Sequence, residues 1–185
     1  MSEKPSVIEI CEKAKAASRV LAHVSSADKN SALKRMANQL ETERNAILAA
    51  NAEDVAAARA TGLSEALIDR LMLNENRLAG VIADLRSVCD LPDPLGQLLE
   101  EKTLSNGLQL SKRRVPLGVL AVIYESRPNV TVDVASLALK SGNAVILRGG
   151  SETIRSNRAL AAAIRRGLEG TAVPADAIQL IEDTD

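Results

Sequence analysis

Phenylalanine and tryptophan are absent from this chain of 185 residues, and Tyr124 is its only aromatic residue. The interior must therefore be assembled from Leu, Ile, Val and Ala. The same lack removes the stacking platforms on which single-strand nucleic-acid binding leans. There is no excess of either charge: 23 Lys and Arg stand against 24 Asp and Glu, a formal net charge of −1. That balance leaves no electrostatic footprint for nucleic acid. Lys112-Arg113-Arg114 is too short a run to change this and reads as a solvated strand end.

Two cysteines, Cys11 and Cys89, are too few and too far apart for a disulfide framework or a zinc site. Cys89 sits on an apolar helical face and reads as packing, and Cys11 is similar, because neither has the electropositive setting of a nucleophile. His23, the single His, falls near a helix end and reads as a surface or capping residue. The N-terminus is polar, with no run of signal-peptide type, and no apolar stretch approaches the length of a membrane span. The expectation is a reduced, cytoplasmic protein with neither membrane nor nucleic acid as partner.

What is present is ordinary for a globular protein: 46% hydrophobic and 25% charged residues, enough for one good-sized domain or two small ones. The first ninety residues follow a helical period. Val7, Ile10, Cys11, Ala14, Ala17 and Leu21 share one face. Leu33, Met36, Ala37, Leu40, Ile47 and Leu48 predict a longer helix beginning near Asp28, and an Ala-rich helix continues through 54–60 until Gly62 stops it. Ser64 and Asn74 are placed to cap two more, the second burying Leu78, Val81, Ile82, Leu85, Val88 and Cys89.

Pro92, Pro94 and Gly96 end the helical run. Asn106-Gly107 between two candidate strands predicts a hairpin, its second strand alternating Leu108, Leu110 and Val115 with Gln109, Ser111 and Arg113. The unbroken apolar run 119–124 suits a strand buried on both faces of a parallel sheet. A helix over 132–140 follows, ended by Gly142, then a second buried strand over 144–147. Ser151 or Thr153 is placed to cap a helix running to about Gly167, and a third strand follows Pro174 over 178–181. The fold class expected is α/β: N-terminal helices over 1–95, a β-hairpin over 96–116, then a βαβαβ half of a doubly wound parallel sheet over 117–185.

Ligands of open α/β sheets bind at the carboxyl ends of the strands. Two loops fall there. Arg148-Gly149-Gly150-Ser151-Glu152 offers close backbone approach at two glycines, a cation, and the start of a helix whose unpaired N–H groups suit a phosphate. It is neither a GxGxxG fingerprint nor a P-loop, and its bland reading is a tight strand-to-helix turn. Tyr124-Glu125-Ser126-Arg127-Pro128-Asn129 is the matching loop after the first parallel strand, with ordinary turn residues as its bland reading. Arg127 suits a bidentate grip on an anionic group, and Ser126 or Asn129 could donate to an oxyanion.

The wording of 114–152, with RVPLGV, YESRPNVTVD and LKSGNAVILRGG, resembles the aldehyde dehydrogenase superfamily and, within it, the γ-glutamyl phosphate reductase family. AKAASRVLA and ILAANAEDVAAAR in the N-terminal part fit as well, so the resemblance covers essentially the whole chain. It implies NADPH-dependent reduction of L-glutamate 5-phosphate to L-glutamate 5-semialdehyde with release of phosphate, the second step of proline synthesis from glutamate. It implies a Cys thiolate that displaces phosphate, with hydride then delivered by the nicotinamide.

By that resemblance Arg148, Gly149, Gly150, Ser151 and Glu152 match the stretch on the cofactor's adenosine side, and Glu125 and Ser126 the loop near the nicotinamide ribose. Arg148 stands where the wider superfamily has Lys, which would favour the 2′-phosphate of NADP. One extra residue separates it from Ser-Glu. Arg127 and Asn129 become substrate-binding candidates, and Ser126 and Asn129 oxyanion donors. The hairpin resembles an oligomerisation element, which implies a homo-oligomer; association with the pathway's glutamate 5-kinase is a further expectation. The family's nucleophile lies well downstream, so the chain is expected to match an N-terminal portion with no catalytic Cys and little activity alone. A non-catalytic fragment that binds nucleotide weakly, or a general aldehyde dehydrogenase, are the alternatives. A Tyr-Glu-Ser-Arg-Pro-Asn loop in place of a Trp-Asn loop argues against the last.

Overall fold

The structure is a computed structural model that describes residues 5–183. The first four residues, part of the polar N-terminus noted above, and the last two lie outside the described residues. Five helices come first: α1 (Val7–Leu21), α2 (Ser26–Thr42), α3 (Arg44–Ala60), α4 (Glu65–Leu71) and α5 (Glu75–Asp90). A hairpin of β1 (Leu98–Thr103) and β2 (Gln109–Arg113) follows. The rest alternates: β3 (Val119–Ile123), α6 (Asn129–Lys140), β4 (Ala144–Arg148), a 3₁₀ turn Ser151–Thr153, α7 (Ile154–Leu168) and β5 (Ile178–Leu180).

Local chemistry sets the helix ends. Ser6 and Glu9 form a capping box at α1, and the Ser25 and Asn74 side chains cap α2 and α5. Ser64 stands at the N-cap of α4 without a side-chain cap bond. At the end of α6, Gly142 takes φ +73°, and the Asn143 and Gly142 amides return to the Ala138 and Leu139 carbonyls at 2.8 and 3.0 Å. Gly62 ends α3 in the same way.

The predicted long helix is two. Glu43 leaves helical geometry between α2 and α3, and its carboxylate binds Arg166 on α7 and accepts from Gln39. No Gly or Pro marks that break, so the pattern carried no signal for it.

The three strands form a parallel sheet in the order β3-β4-β5, with Val119 opposite Ala144 and Val145 opposite Ile178. Both crossovers step in the same direction, which sets α6 and α7 on one face. α1 packs on the strands as well, chiefly on β4. Only β4, the central strand, is buried through Leu147. Among the described residues β3 has a strand on one side only, and the expected cover on both faces is not met there: Ala121 and Ile123 are exposed, Ile123 by 78%.

One apolar core runs from Ile10 and Leu21 through Leu33, Met36 and Leu40 to Val145, Leu160 and Ile178. Each fully buried Leu in it stabilises the fold by about 2 kcal/mol. α2 crosses α7 where Gly167 meets Met36. A Cβ on Gly167 would lie 2.6 Å from the Met36 Cα, so only Gly permits this approach. Two buried lysines stitch the helices together. Lys29 Nζ lies 2.5 Å from Asp93 Oδ2 and donates to the Lys140 carbonyl. Lys140 Nζ donates to Asn30 Oδ1 and to the Cys89 carbonyl.

The hairpin differs. Thr103 pairs with Gln109 across the five residues 104–108, with Gly107 at φ +84°, yet every residue of β1 and β2 is exposed among the described residues. The alternation of its second strand therefore meets no core. Cys11 is likewise exposed rather than packed, since the buried stripe of α1 is Ile10, Ala14, Ala17, Ser18 and Leu21. Cys89 is buried as expected, and burial pushes its thiol pKa up.

Candidate functional site: the carboxyl edge of the parallel sheet

The two loops flagged by sequence meet at the carboxyl ends of β3 and β4. The Tyr124 amide donates to the Arg148 carbonyl at 3.0 Å, extending the ladder by one rung. A Cβ on Gly149 would come within 2.1 Å of Asn157 Nδ2 and 3.2 Å of Tyr124 Cε2, so the turn is glycine because a buried amide and a phenol ring already fill the space. A Cβ on Gly150 would lie 2.6 Å from Glu152 Oε2 and 3.8 Å from the Ser126 amide nitrogen.

A chain of buried polar groups holds this junction from behind. Thr131 Oγ1 donates to Asn157 Oδ1 at 3.1 Å, so the Tyr124 hydroxyl, 2.6 Å away, donates to Thr131. Asn157 Nδ2 donates to Thr153 Oγ1 at 3.0 Å, and Thr153 in turn to the Gly150 carbonyl. Burial raises the Tyr124 pKa against the lowering effect of Thr131, which keeps the hydroxyl a donor. Fully paired, such a chain fixes the turn without any contribution from a ligand.

The start of α7 departs from expectation. Neither Ser151 nor Thr153 makes a side-chain cap bond there. The cap comes from α3. Asp54, 1% exposed, accepts from the Ser156 amide at 2.8 Å, the Arg155 amide at 3.4 Å and the Ser156 hydroxyl at 2.6 Å. Arg155 Nη1 lies 3.3 Å from the same carboxylate. Asn51, one turn earlier, donates to Ser156 Oγ and the Leu71 carbonyl and accepts from the Leu73 amide. The seat read from sequence as open to phosphate is therefore filled by a protein carboxylate, which satisfies the helix amides and the positive dipole end. A cofactor diphosphate does not fit at the first turn of α7. Ser151 and Glu152, both exposed on the 3₁₀ turn, do suit ribose hydroxyls, and they line a hollow of about 300 Å³ against Ala57, Ala58 and Thr61 of α3.

The other loop faces elsewhere. Glu125, Ser126, Arg127 and Tyr124 line a hollow of about 310 Å³ with Leu67 and Arg70 of α4. Arg127 and Asn129 also line a neighbouring cleft of about 380 Å³ with Arg70, Arg77 and Asp84. Glu125 and Arg127 are exposed; Ser126, Asn129, Arg148 and Gly150 are half-buried; Gly149 is buried. Asn129 opens α6, and its amide donates to Asp133 Oδ2 at 2.9 Å. One of its two N–H groups is thus committed, and no bond of the other is present among the described residues. The Asp133 carboxyl is pushed above the usual range by burial first, against the Asn129 bond, with the charge of Asp84 adding to it.

Sequence reasoning missed Asn51, Asp54, Ser156 and Asn157. One signal was there: Ile47, Asn51, Asp54, Val55 and Ala58 share a helical face, so two polar side chains interrupt an apolar stripe. Arg70 and Asp84 had none, because their role depends on which loop packs beside α4 and α5.

Comparison with known proteins converges on one family. The model for the aldehyde dehydrogenase family matches residues 1–185. A γ-glutamyl phosphate reductase of Shewanella amazonensis is 53% identical over all of this chain and 44% of its own length. One of Escherichia coli is 56% identical over 93% of this chain and 41% of its own. The crystal structure of the γ-glutamyl phosphate reductase of Thermotoga maritima superimposes with a TM-score of 0.95 at 42% identity, covering 98% of this chain and 44% of that one. The chain thus spans less than half the length of these relatives. With a family model matched from end to end and the parallel sheet, hairpin and helices superimposed on a solved relative, the chain belongs to the aldehyde dehydrogenase family.

Proposed function

We propose that this chain supplies the helical part and a share of the cofactor site of a γ-glutamyl phosphate reductase, an enzyme that reduces L-glutamate 5-phosphate to L-glutamate 5-semialdehyde with NADPH and releases phosphate. The observation that carries this reading is the meeting of the 124–129 loop and the 148–152 turn at one sheet edge, in a chain 53% and 56% identical to proteins of that name. Cytoplasmic location and a role in proline synthesis follow from the reading. Among the described residues no helix is long and apolar enough to cross a membrane.

Each residue has a task in it. Ser151 and Glu152 hold the ribose on the adenosine side by hydroxyl and carboxylate contacts. Arg148, at the end of β4, favours a cofactor bearing a 2′-phosphate. Gly149 and Gly150 let the backbone lie close under the ligand. Glu125 and Ser126 take the nicotinamide side. When bound, the cofactor supplies the hydride. The Ser126 hydroxyl and the remaining Asn129 N–H hydrogen-bond the substrate's acyl oxygen as charge develops on it. Arg127 holds an anionic group of the substrate. The exposed apolar side chains of the hairpin, Leu98, Leu99, Leu108 and Leu110, are the contact with a second copy.

Calorimetric titration of NADPH and NADH into the purified chain tests the cofactor part. Saturable binding that favours NADPH, and loses that preference in Arg148→Ala, is the expected result. A folded chain that binds neither nucleotide removes the cofactor assignment.

A further inference from the structure

The cleft between α4, α5 and the 124–129 loop carries ionic groups of both signs that the protein itself does not neutralise. Among the described residues no ion pair or hydrogen bond engages the guanidinium of Arg70 or of Arg127. Asp84 on α5 has no cationic partner among them either, and its charge bears on Asp133 of α6. The surrounding arginines are spent. Arg77 is held by Asp69 at 2.7 Å, Arg44 bridges Glu41 and Glu75, and Arg86 binds Glu41 at 2.6 Å. Unpaired charges of opposite sign thus remain on the walls of a single cleft of about 380 Å³, a size at the small-metabolite end of ligand pockets.

The ligand that fits such walls must itself carry both signs. A plain carboxylate would meet Asp84 as a like charge, and a plain amine would meet the two arginines. A zwitterionic α-amino acid end satisfies both. Arg70 and Arg127 also line the adjoining hollow of about 310 Å³, which reaches Tyr124 and Ser126 at the carboxyl end of β3. A ligand seated by its amino-acid end between α4 and α5 therefore points its other end at the sheet edge.

We propose that this cleft recognises the α-amino acid end of the substrate, with Arg70 pairing its α-carboxylate and Asp84 its α-ammonium, and Arg127 left toward the acyl phosphate. The assignment rests on the reductase reading above and adds to it the residues that select an amino-acid substrate over a simple acyl phosphate.

The test is an amide-resonance titration of the chain with three probes: L-glutamate, glutarate, which lacks the ammonium, and 4-aminobutyrate, which lacks the α-carboxylate. L-Glutamate should give saturable shifts around Arg70 and Asp84. Arg70→Gln should weaken L-glutamate about tenfold and leave 4-aminobutyrate unchanged; Asp84→Asn should weaken it by a similar factor and leave glutarate unchanged. Both side chains are exposed, so the variants should keep the native resonance pattern, and Arg70→Lys should recover part of the binding. Equal losses for all three probes, shifts mapping elsewhere, or no saturable shift in the parent chain overturns the assignment. Nucleotide titration depends on neither residue. Retained NADPH binding without probe selectivity would sink this inference alone, whereas loss of both would sink the reductase reading with it.

Discussion

The strands β1 and β4 begin with similar material, Leu-Leu in one and Ala-Val-Ile-Leu in the other, yet all of β1 is exposed and β4 is buried through Leu147. The hairpin is held by local chemistry alone: a turn at Gly107, a ladder to one partner strand, and no packed face. β4 is held by everything around it, with a strand on each side and with α1 and α6 packed on it. The difference teaches that pairing and burial are separate achievements. The first follows from a short stretch of sequence, the second needs further segments, one of them, α1, more than a hundred residues away.

The largest effect should come from cutting the buried side of this comparison at a point that looks polar. Asp54→Ala should lower unfolding stability by about 3 kcal/mol in urea titration, because two helix amides, a hydroxyl and Arg155 lose one acceptor in a site closed to water. Asp54→Asn should keep part of that. A loss under about 0.5 kcal/mol would show that water reaches the start of α7. Next, Gly167→Ala should cost about 2 kcal/mol, since its new methyl meets Met36 backbone rather than a movable side chain. A neutral result would mean that α2 and α7 slide apart freely.

pH separates two buried-side carboxyls by sign. Burial alone would raise the Asp93 pKa, but bonds from Lys29, Ser26 and the Leu95 amide hold it below the usual range. Its contribution is present above the unfolded carboxylate pKa and lost as pH falls through the folded one. Asp133 is raised, so it opposes stability once pH climbs from the unfolded value through the folded one. Melting temperature followed through the acid range should fall less steeply on the acid side in Asp93→Asn, where Glu43 still contributes, and rise near neutrality in Asp133→Asn. The smallest effect belongs to the hairpin. Leu110→Thr should change unfolding by less than about 0.5 kcal/mol while reducing self-association in light scattering.

Much of this was legible in the chain. The stripes Leu33-Met36-Ala37-Leu40 and Leu78-Val81-Ile82-Leu85 predicted buried faces because a helix period repeats within a few residues. Asn106-Gly107 predicted the hairpin, and the run 119–124 the strand, for the same local reason. That Ala121 and Ile123 of β3 would be exposed among the described residues was not legible, since the cover of a strand is decided by other segments. Nor was the helix break at Glu43, where the carboxylate also meets Arg166 from 123 residues away. The site followed the same division. The residues on the two loops could be named, because they sit next to strands. The carboxylate at the start of α7 could not, because it arrives from a helix 102 residues earlier.

The partners of α2 carry one more consequence, for how the chain is made. Arg35 binds the carbonyls of Gly167 and Glu169, 132 and 134 residues later, and Lys29 that of Lys140, 111 residues later. At about 5–20 residues per second of synthesis, α2 waits on the order of ten seconds for α7, its largest packing surface. Leu33, Met36 and Leu40, fully enclosed at the end, have only α5 to pack on until α6 and α7 emerge. These early-made helices are thus late to find their full place, and chaperone dependence should rest on α1 and α2 rather than on the hairpin, which closes as soon as its two strands have emerged.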